Sequence, residues 1–175
     1  LTMLISDNLY QDAMVAPFQN ENVSDLCVVT GFCKPAMVSR HFTDLNDKNF
    51  NLKIVIGMGT MSLGEHQAYR RLMINSYPGR FNCHYYAQEG KVHSKVYQWS
   101  NNENNDISFI GSANYSQNGL IKTNQKELLY RLAQDENERI RIYINSILNQ
   151  SILCTDPAAD TLFRKKETLP HPQEA

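Results

Sequence analysis

The chain has 175 residues, 42% of them hydrophobic and 20% charged, with a formal net charge of −1 at pH 7. That length suffices for one domain with a real core, and the composition is ordinary for a soluble globular protein. No apolar run approaches the ~18–20 residues that span a bilayer, no signal-peptide pattern opens the chain, and the charge is not that of a stand-alone nucleic-acid binder, which is usually basic.

In chain order, Asn8–Ala16 reads as a helix stopped by Pro17. Asp25–Cys33, a continuous apolar run, reads as a buried strand. Ala36–Leu45 follows Lys34-Pro35 and reads as a helix with proline near its first turn. Asn51–Met58 is a second buried strand, followed by a loop marked by Gly57, Gly59 and Gly64. Glu65–Ser76 is an amphipathic helix ended by Tyr77-Pro78-Gly79, and Arg80–Ala87 is a third strand. Two alternating segments, Val92–Trp99 and Ile107–Asn114, read as strands joined by the turn-rich loop Ser100–Asp106. Gln117–Asn124 is loop or a short helix. Lys126–Ala133 tilts toward strand, and Asn137–Asn149 carries Ile140, Ile144, Ile147 and Leu148 at helical spacing. This rhythm predicts a single α/β domain over residues 1–155, built on a mixed, mostly buried sheet with helices on both faces. From about Pro157 the polar, proline-bearing sequence reads as a linker leading out of the domain, so that 156–175 form a tail.

Cys27, Cys33, Cys83 and Cys154 form no CxxC pair, and with His41, His66 and His84 they give no zinc-ligand spacing. They are expected to be buried free thiols in a reducing cytoplasm. His41, His66, His84 and His171 have no partner pattern and are expected to be structural or surface residues.

The chemistry-bearing residues cluster in Lys91–Asn118. Residues two apart on a strand share a face. His93 and Lys95 therefore share one face of the first segment, and Ser112 and Asn114 one face of the second. Paired as a hairpin, these strands bring an imidazole, an ammonium, a hydroxyl and a carboxamide to one spot, a set suited to a phosphate. Gly111 lets the backbone approach a ligand closely.

His93-Ser94-Lys95 followed by Gly111-Ser112-Ala113-Asn114 resembles the HxK…GSxN signature of the phospholipase D superfamily. The acidic residue usual five positions after the lysine is replaced by Ser100, with Asp106 later in the loop. The chain holds one such signature, so it resembles the single-motif nucleases, in particular the metal-independent restriction endonucleases of the NgoFVII type. The resemblance implies a phospholipase D-like fold and a DNA-cleaving phosphodiesterase that acts through a phosphohistidine, with His93, Lys95, Ser112 and Asn114 at the site. It also implies an acid that orients His93, for which Glu127, shortly after the GSxN segment, is the candidate, with Asp106 and Glu103 in the loop as weaker ones. No metal or cofactor is needed, because Lys95 and the polar donors replace one. One histidine cannot serve as nucleophile and acid at once, so a symmetric homodimer with its site on the two-fold axis is expected. DNA recognition is expected in a C-terminal domain beyond residue 175, or with a separate ATPase subunit. A phospholipid-processing enzyme of the same superfamily, or a non-catalytic nucleic-acid binding module, is the alternative; the lack of membrane-binding helices weighs against the first.

Overall fold

The computed structural model describes residues 3–58, 61–103 and 105–161. Its described residues form one mixed sheet of eight strands in the order β1-β7-β6-β5-β2-β3-β4-β8. These are β1 (Met3–Ile5), β2 (Asp25–Thr30), β3 (Asn51–Ile56), β4 (Phe81–Tyr86), β5 (Val96–Ser100), β6 (Ile107–Gly111), β7 (Leu129–Arg131) and β8 (Ser151–Leu153). Strands β2, β3 and β4 run parallel at the centre, and every other pairing is antiparallel. Helices α1 (Ala16–Asn20), α2 (Pro35–Leu45), α3 (Leu63–Arg71), α4 (Gln117–Leu120) and α5 (Asn137–Leu148) join these strands among the described residues.

The central strands are apolar on both faces because both are covered. Leu26 and Val28 of β2, with Leu52 and Ile54 of β3, pack toward Met37, Val38 and Phe42 of α2 and Tyr69 of α3. Val29, Val55 and Val96 point the other way, onto Ile144 and Ile147 of α5. Alternate residues of β2 and β3 thus enter opposite cores, which is why these strands end in continuous apolar runs at Val28-Val29 and Ile54-Val55-Ile56, whereas β4 alternates. The expected α/β sheet with helices on both faces is what forms.

Pro17 does not stop the first helix. The chain winds in wide π turns over Tyr10–Val15 and continues as α1, with Pro17 in the first turn. Proline has no N–H for the carbonyl one turn back, and the freed groups find other donors. Trp99 Nε1 donates to Ala13 O at 2.8 Å, and His41 Nε2 to Met14 O at 2.7 Å. With its Nε2 donating, His41 Nδ1 accepts from Tyr115 Oη at 2.6 Å. The proline therefore costs nothing in unmet backbone groups, and it turns a local interruption into a link between helix, core and the Tyr115 segment.

This arrangement predicts acid lability. Burial pushes His41 down to about 4, against about 6.5 in an unfolded chain. Between those values the unfolded protein binds a proton that the folded one excludes. Stability is therefore full above pH 6.5 and falls as pH drops toward 4, by roughly 3 kcal/mol for this group. Urea midpoints measured from pH 7 to 4 should decline over that window; a flat profile would contradict the buried neutral histidine.

The β5–β6 hairpin forms, although the family's usual acid is absent. Asp106, 4% exposed, pairs with Arg141 of α5, and Asn137 Nδ2 donates to the Asp106 carbonyl at 2.8 Å. Gln98 Nε2 bridges Ser108 Oγ and Asn137 O, at 3.0 and 2.9 Å. The hairpin is thus pinned to α5 at its closed end. Arg141→Ala should destabilise the protein by about 2 kcal/mol, because it strands a buried carboxylate. Arg40→Ala, which removes an exposed i,i+4 pair with Asp44 and the guanidinium over the Tyr10 ring, should change stability by less than about 1 kcal/mol; thermal unfolding of the two variants tests the contrast.

The motif strands are shorter than their alternation predicts: β5 starts at Val96 rather than Val92, and β6 ends at Gly111 rather than Asn114. The Val92 N–H goes to Gly57 O at 3.3 Å, past the end of β3, which draws this stretch off the β2 ladder. Likewise, the ladder of β7 covers Leu129–Arg131, not Lys126–Ala133. The edge strands β1 and β8 pair antiparallel with β7 and β4 and have three residues each, too few for a periodic signal. Past residue 155 the fold continues: 157–161 make a helical turn, and Ala159 is buried in the core. The remainder of the predicted linker, with His171, lies outside the described residues. All four cysteines are free, three of them buried.

Candidate active site

One end of the sheet gathers every residue singled out in the HxK…GSxN pattern. Strands β2 and β3 finish there at Thr30 and Ile56, β5 begins there, and β6 ends there. Crevices outside the carboxyl ends of parallel strands are where α/β sheets bind ligands. His93 and Lys95 lie just before β5, and Ser112 and Asn114 just after β6. The alternation persists through the unpaired stretch. Val92 and Val96 pack in the α5 cluster, and Ser94 Oγ meets Tyr143 Oη of α5 at 2.6 Å. His93 and Lys95, offset by one, take the opposite face.

Gly31 marks where the two halves meet. A Cβ placed on it would lie 3.2 Å from His93 Cδ2 and 3.5 Å from Asn114 Oδ1. The imidazole and the carboxamide are therefore separated by no more than the sum of those distances. Asn114 is oriented by its neighbours: its Oδ1 faces Thr30 Oγ1 at 3.1 Å and accepts from the Phe32 N–H at 3.2 Å. That leaves its Nδ2 hydrogens as the donors available to a ligand. The Tyr115 N–H donates to Thr30 Oγ1 at 3.1 Å, which fixes the backbone beside Asn114.

Lys95 is buried, and its Nζ donates to the His93 carbonyl at 2.7 Å. Burial lowers its pKa, and the negative charge of Glu127 works against that shift. Glu127 does not meet His93 as expected. It accepts the hydrogen of Ser112 Oγ, which itself accepts from the Leu128 N–H at 3.0 Å. Among the described residues, neither ring nitrogen of the exposed His93 has a hydrogen-bond partner. The structure thus brings His93 near Asn114, ties Lys95 to the His93 carbonyl, and places Glu127 on Ser112 rather than on the histidine.

Thr30, Gly31 and Gly57 were not singled out as site residues from the sequence; Thr30 ends β2, and Gly31 and Gly57 directly follow β2 and β3. No group of three or more His, Cys, Asp or Glu residues suited to a metal ion occurs among the described residues, and no described helix is long and apolar enough to cross a membrane.

The sheet, the hairpin and this set of side chains define a phospholipase D-like phosphodiesterase domain. Solved structures share the fold. NucT from Helicobacter pylori matches with a TM-score of 0.57 and 16% identity, over 87% of this chain and 98% of that one. Nuc from Salmonella typhimurium, a phospholipase D family member, matches with a TM-score of 0.61 and 14% identity, over 87% and 97%. A yeast tyrosyl-DNA phosphodiesterase variant matches with a TM-score of 0.52 and 13% identity, over 95% and 39%. No curated protein sequence matches the chain. Residues 7–159 match the family described as the NgoFVII restriction endonuclease N-terminal PLD domain. The chain belongs to that family, and so is a nuclease-type phosphodiesterase domain of restriction endonucleases.

Proposed function

We propose that the chain cleaves DNA without a metal ion, through a phosphohistidine, as a symmetric homodimer. An imidazole nitrogen of His93 attacks phosphorus; the P–N bond forms as the P–O bond to the leaving strand breaks. His93 of the partner subunit gives its proton to the departing alkoxide. The same residue then takes a proton from water, whose oxygen attacks phosphorus, breaks the P–N bond and restores the first His93. Lys95 and the Asn114 Nδ2 hydrogens face the non-bridging oxygens and stabilise the charge that builds there. Glu127 holds the Ser112 hydroxyl and opposes the loss of charge from Lys95.

The observation that carries this reading is the shared approach of His93 and Asn114 to Gly31, with Lys95 tied to the same segment. The dimer is supported by the chemistry, which needs a second histidine. Metal independence is supported by the donor set, in which an ammonium and an amide occupy the place of a Lewis acid. Sequence recognition we assign to a C-terminal domain or a separate ATPase subunit, in keeping with a net charge of −1. The free thiols suit a cytoplasmic setting.

Plasmid digestion in EDTA tests the reading. Nicking or linearisation should persist in the chelator and vanish in His93→Ala; loss of cleavage on chelation would contradict it. Mixing His93→Ala chains with wild type should lower activity below that expected from dilution, because mixed dimers lack one of the two histidines.

A further inference from the structure

Next to Glu127 lies a cleft of about 590 Å³ between the end of β1 and the segment that leads into β7. Asp7 bounds it on one side, and Ile121, Lys122, Lys126 and Leu128 on the other, with Glu127 at the rim it shares with the catalytic groups. Lys122 and Lys126 are exposed, and neither forms an ion pair within 4.0 Å among the described residues. Asp7 forms none either.

The lining is the informative part. A site for phosphate alone needs cations and N–H donors. This cleft adds an apolar wall, with Leu128 46% exposed, and a carboxylate acceptor. Together these match the three parts of a nucleotide. Ammonium groups meet phosphates, an aliphatic surface takes the face of a base or sugar, and a carboxylate accepts from an exocyclic amino group. The volume falls within the ~300–1,000 Å³ range of sites that enclose ligands of nucleotide size. We propose that the cleft binds the nucleotide flanking the scissile phosphate in a DNA strand, with Lys122 and Lys126 engaging the adjoining phosphates. The inference rests on the phosphodiesterase reading for the word "flanking"; the binding itself does not.

The experiment separates the two. Binding of a fluorescein-labelled DNA hexamer is measured by anisotropy across a salt series, on the His93→Ala background so that turnover does not intervene. Adding Lys122→Ala and Lys126→Ala should weaken binding at low salt at least about tenfold. It should also make the plot of log affinity against log salt shallower by about 1.4, at ~0.7 per phosphate of a single strand. The Lys122→Arg/Lys126→Arg pair should keep both values. Alanine variants within about twofold of the parent, with the same slope, would overturn the proposal. Failure of the catalytic reading looks different. Wild-type protein would hydrolyse neither the hexamer nor bis(p-nitrophenyl) phosphate, which removes the flanking role whatever the binding data show.

Discussion

His93→Ala is expected to lower DNA cleavage by about 10⁴-fold or more, the usual scale for a lost nucleophile, and to leave folding stability within about 0.5 kcal/mol of wild type. The separation follows from the site. His93 is exposed, and its ring nitrogens meet no protein partner among the described residues, so truncation removes no internal hydrogen bond. On the proposed mechanism the ring carries a catalytic demand and no structural one. Asn114→Ala should behave otherwise. Its Oδ1 serves the Phe32 N–H and Thr30 Oγ1, so its loss should cost about 1–2 kcal/mol of stability as well as activity. Cleavage assays paired with urea unfolding read both quantities. A His93→Ala protein that still cuts DNA at wild-type rate would remove the nucleophile from the account.

Gly57→Ala is expected to cut activity by about a hundredfold, although Gly57 carries no reacting group. A Cβ there would lie 2.1 Å from the Val92 carbonyl oxygen and 2.7 Å from Val92 Cβ. The Gly57 N–H donates to Thr30 O at 2.9 Å, and its carbonyl accepts from Val92 N–H at 3.3 Å. The new methyl cannot be relieved by a side chain turning aside, because backbone stands in its way. The stretch from Val92 to Lys95 must shift, which moves His93 relative to Asn114, and the displaced packing should cost about 1–3 kcal/mol. Gly64, at the start of α3, is the control. Nothing lies closer than 3.8 Å to its added Cβ, so Gly64→Ala should match or exceed wild-type stability by up to about 1 kcal/mol. Equal activity of Gly57→Ala and wild type would mean that the His93 segment is not held by this contact.

The central sheet was legible because β2 and β3 are buried on both faces toward their carboxyl ends, where they show as unbroken apolar runs, while β4 alternates between buried and half-buried residues. The hairpin could be read from alternation, although its ends could not. Alternation reports which way side chains point, and it continues past the last ladder bond through Val92, Ser94 and Val96. The continuation across Pro17 was hidden because the groups that rescue it, Trp99 and His41, are remote in sequence. The placement of His93, Lys95, Ser112 and Asn114 at one end of the hairpin was readable from spacing. The partner of Glu127 was not, because a carboxylate two residues before a strand can turn to either neighbour, and the Ser112 hydroxyl lay nearer. Thr30, Gly31 and Gly57 look unremarkable as letters; their importance appears only when β2 and β3 end beside the hairpin.

The most direct test of the central claim is a rapid acid-free quench of enzyme mixed with a DNA oligonucleotide, followed by intact-mass and peptide analysis. A nucleotide joined through phosphorus to the His93 peptide, formed and lost at rates that match turnover, is the predicted result. Steady cleavage with His93 unmodified at every time point, or an adduct on another residue, would contradict it.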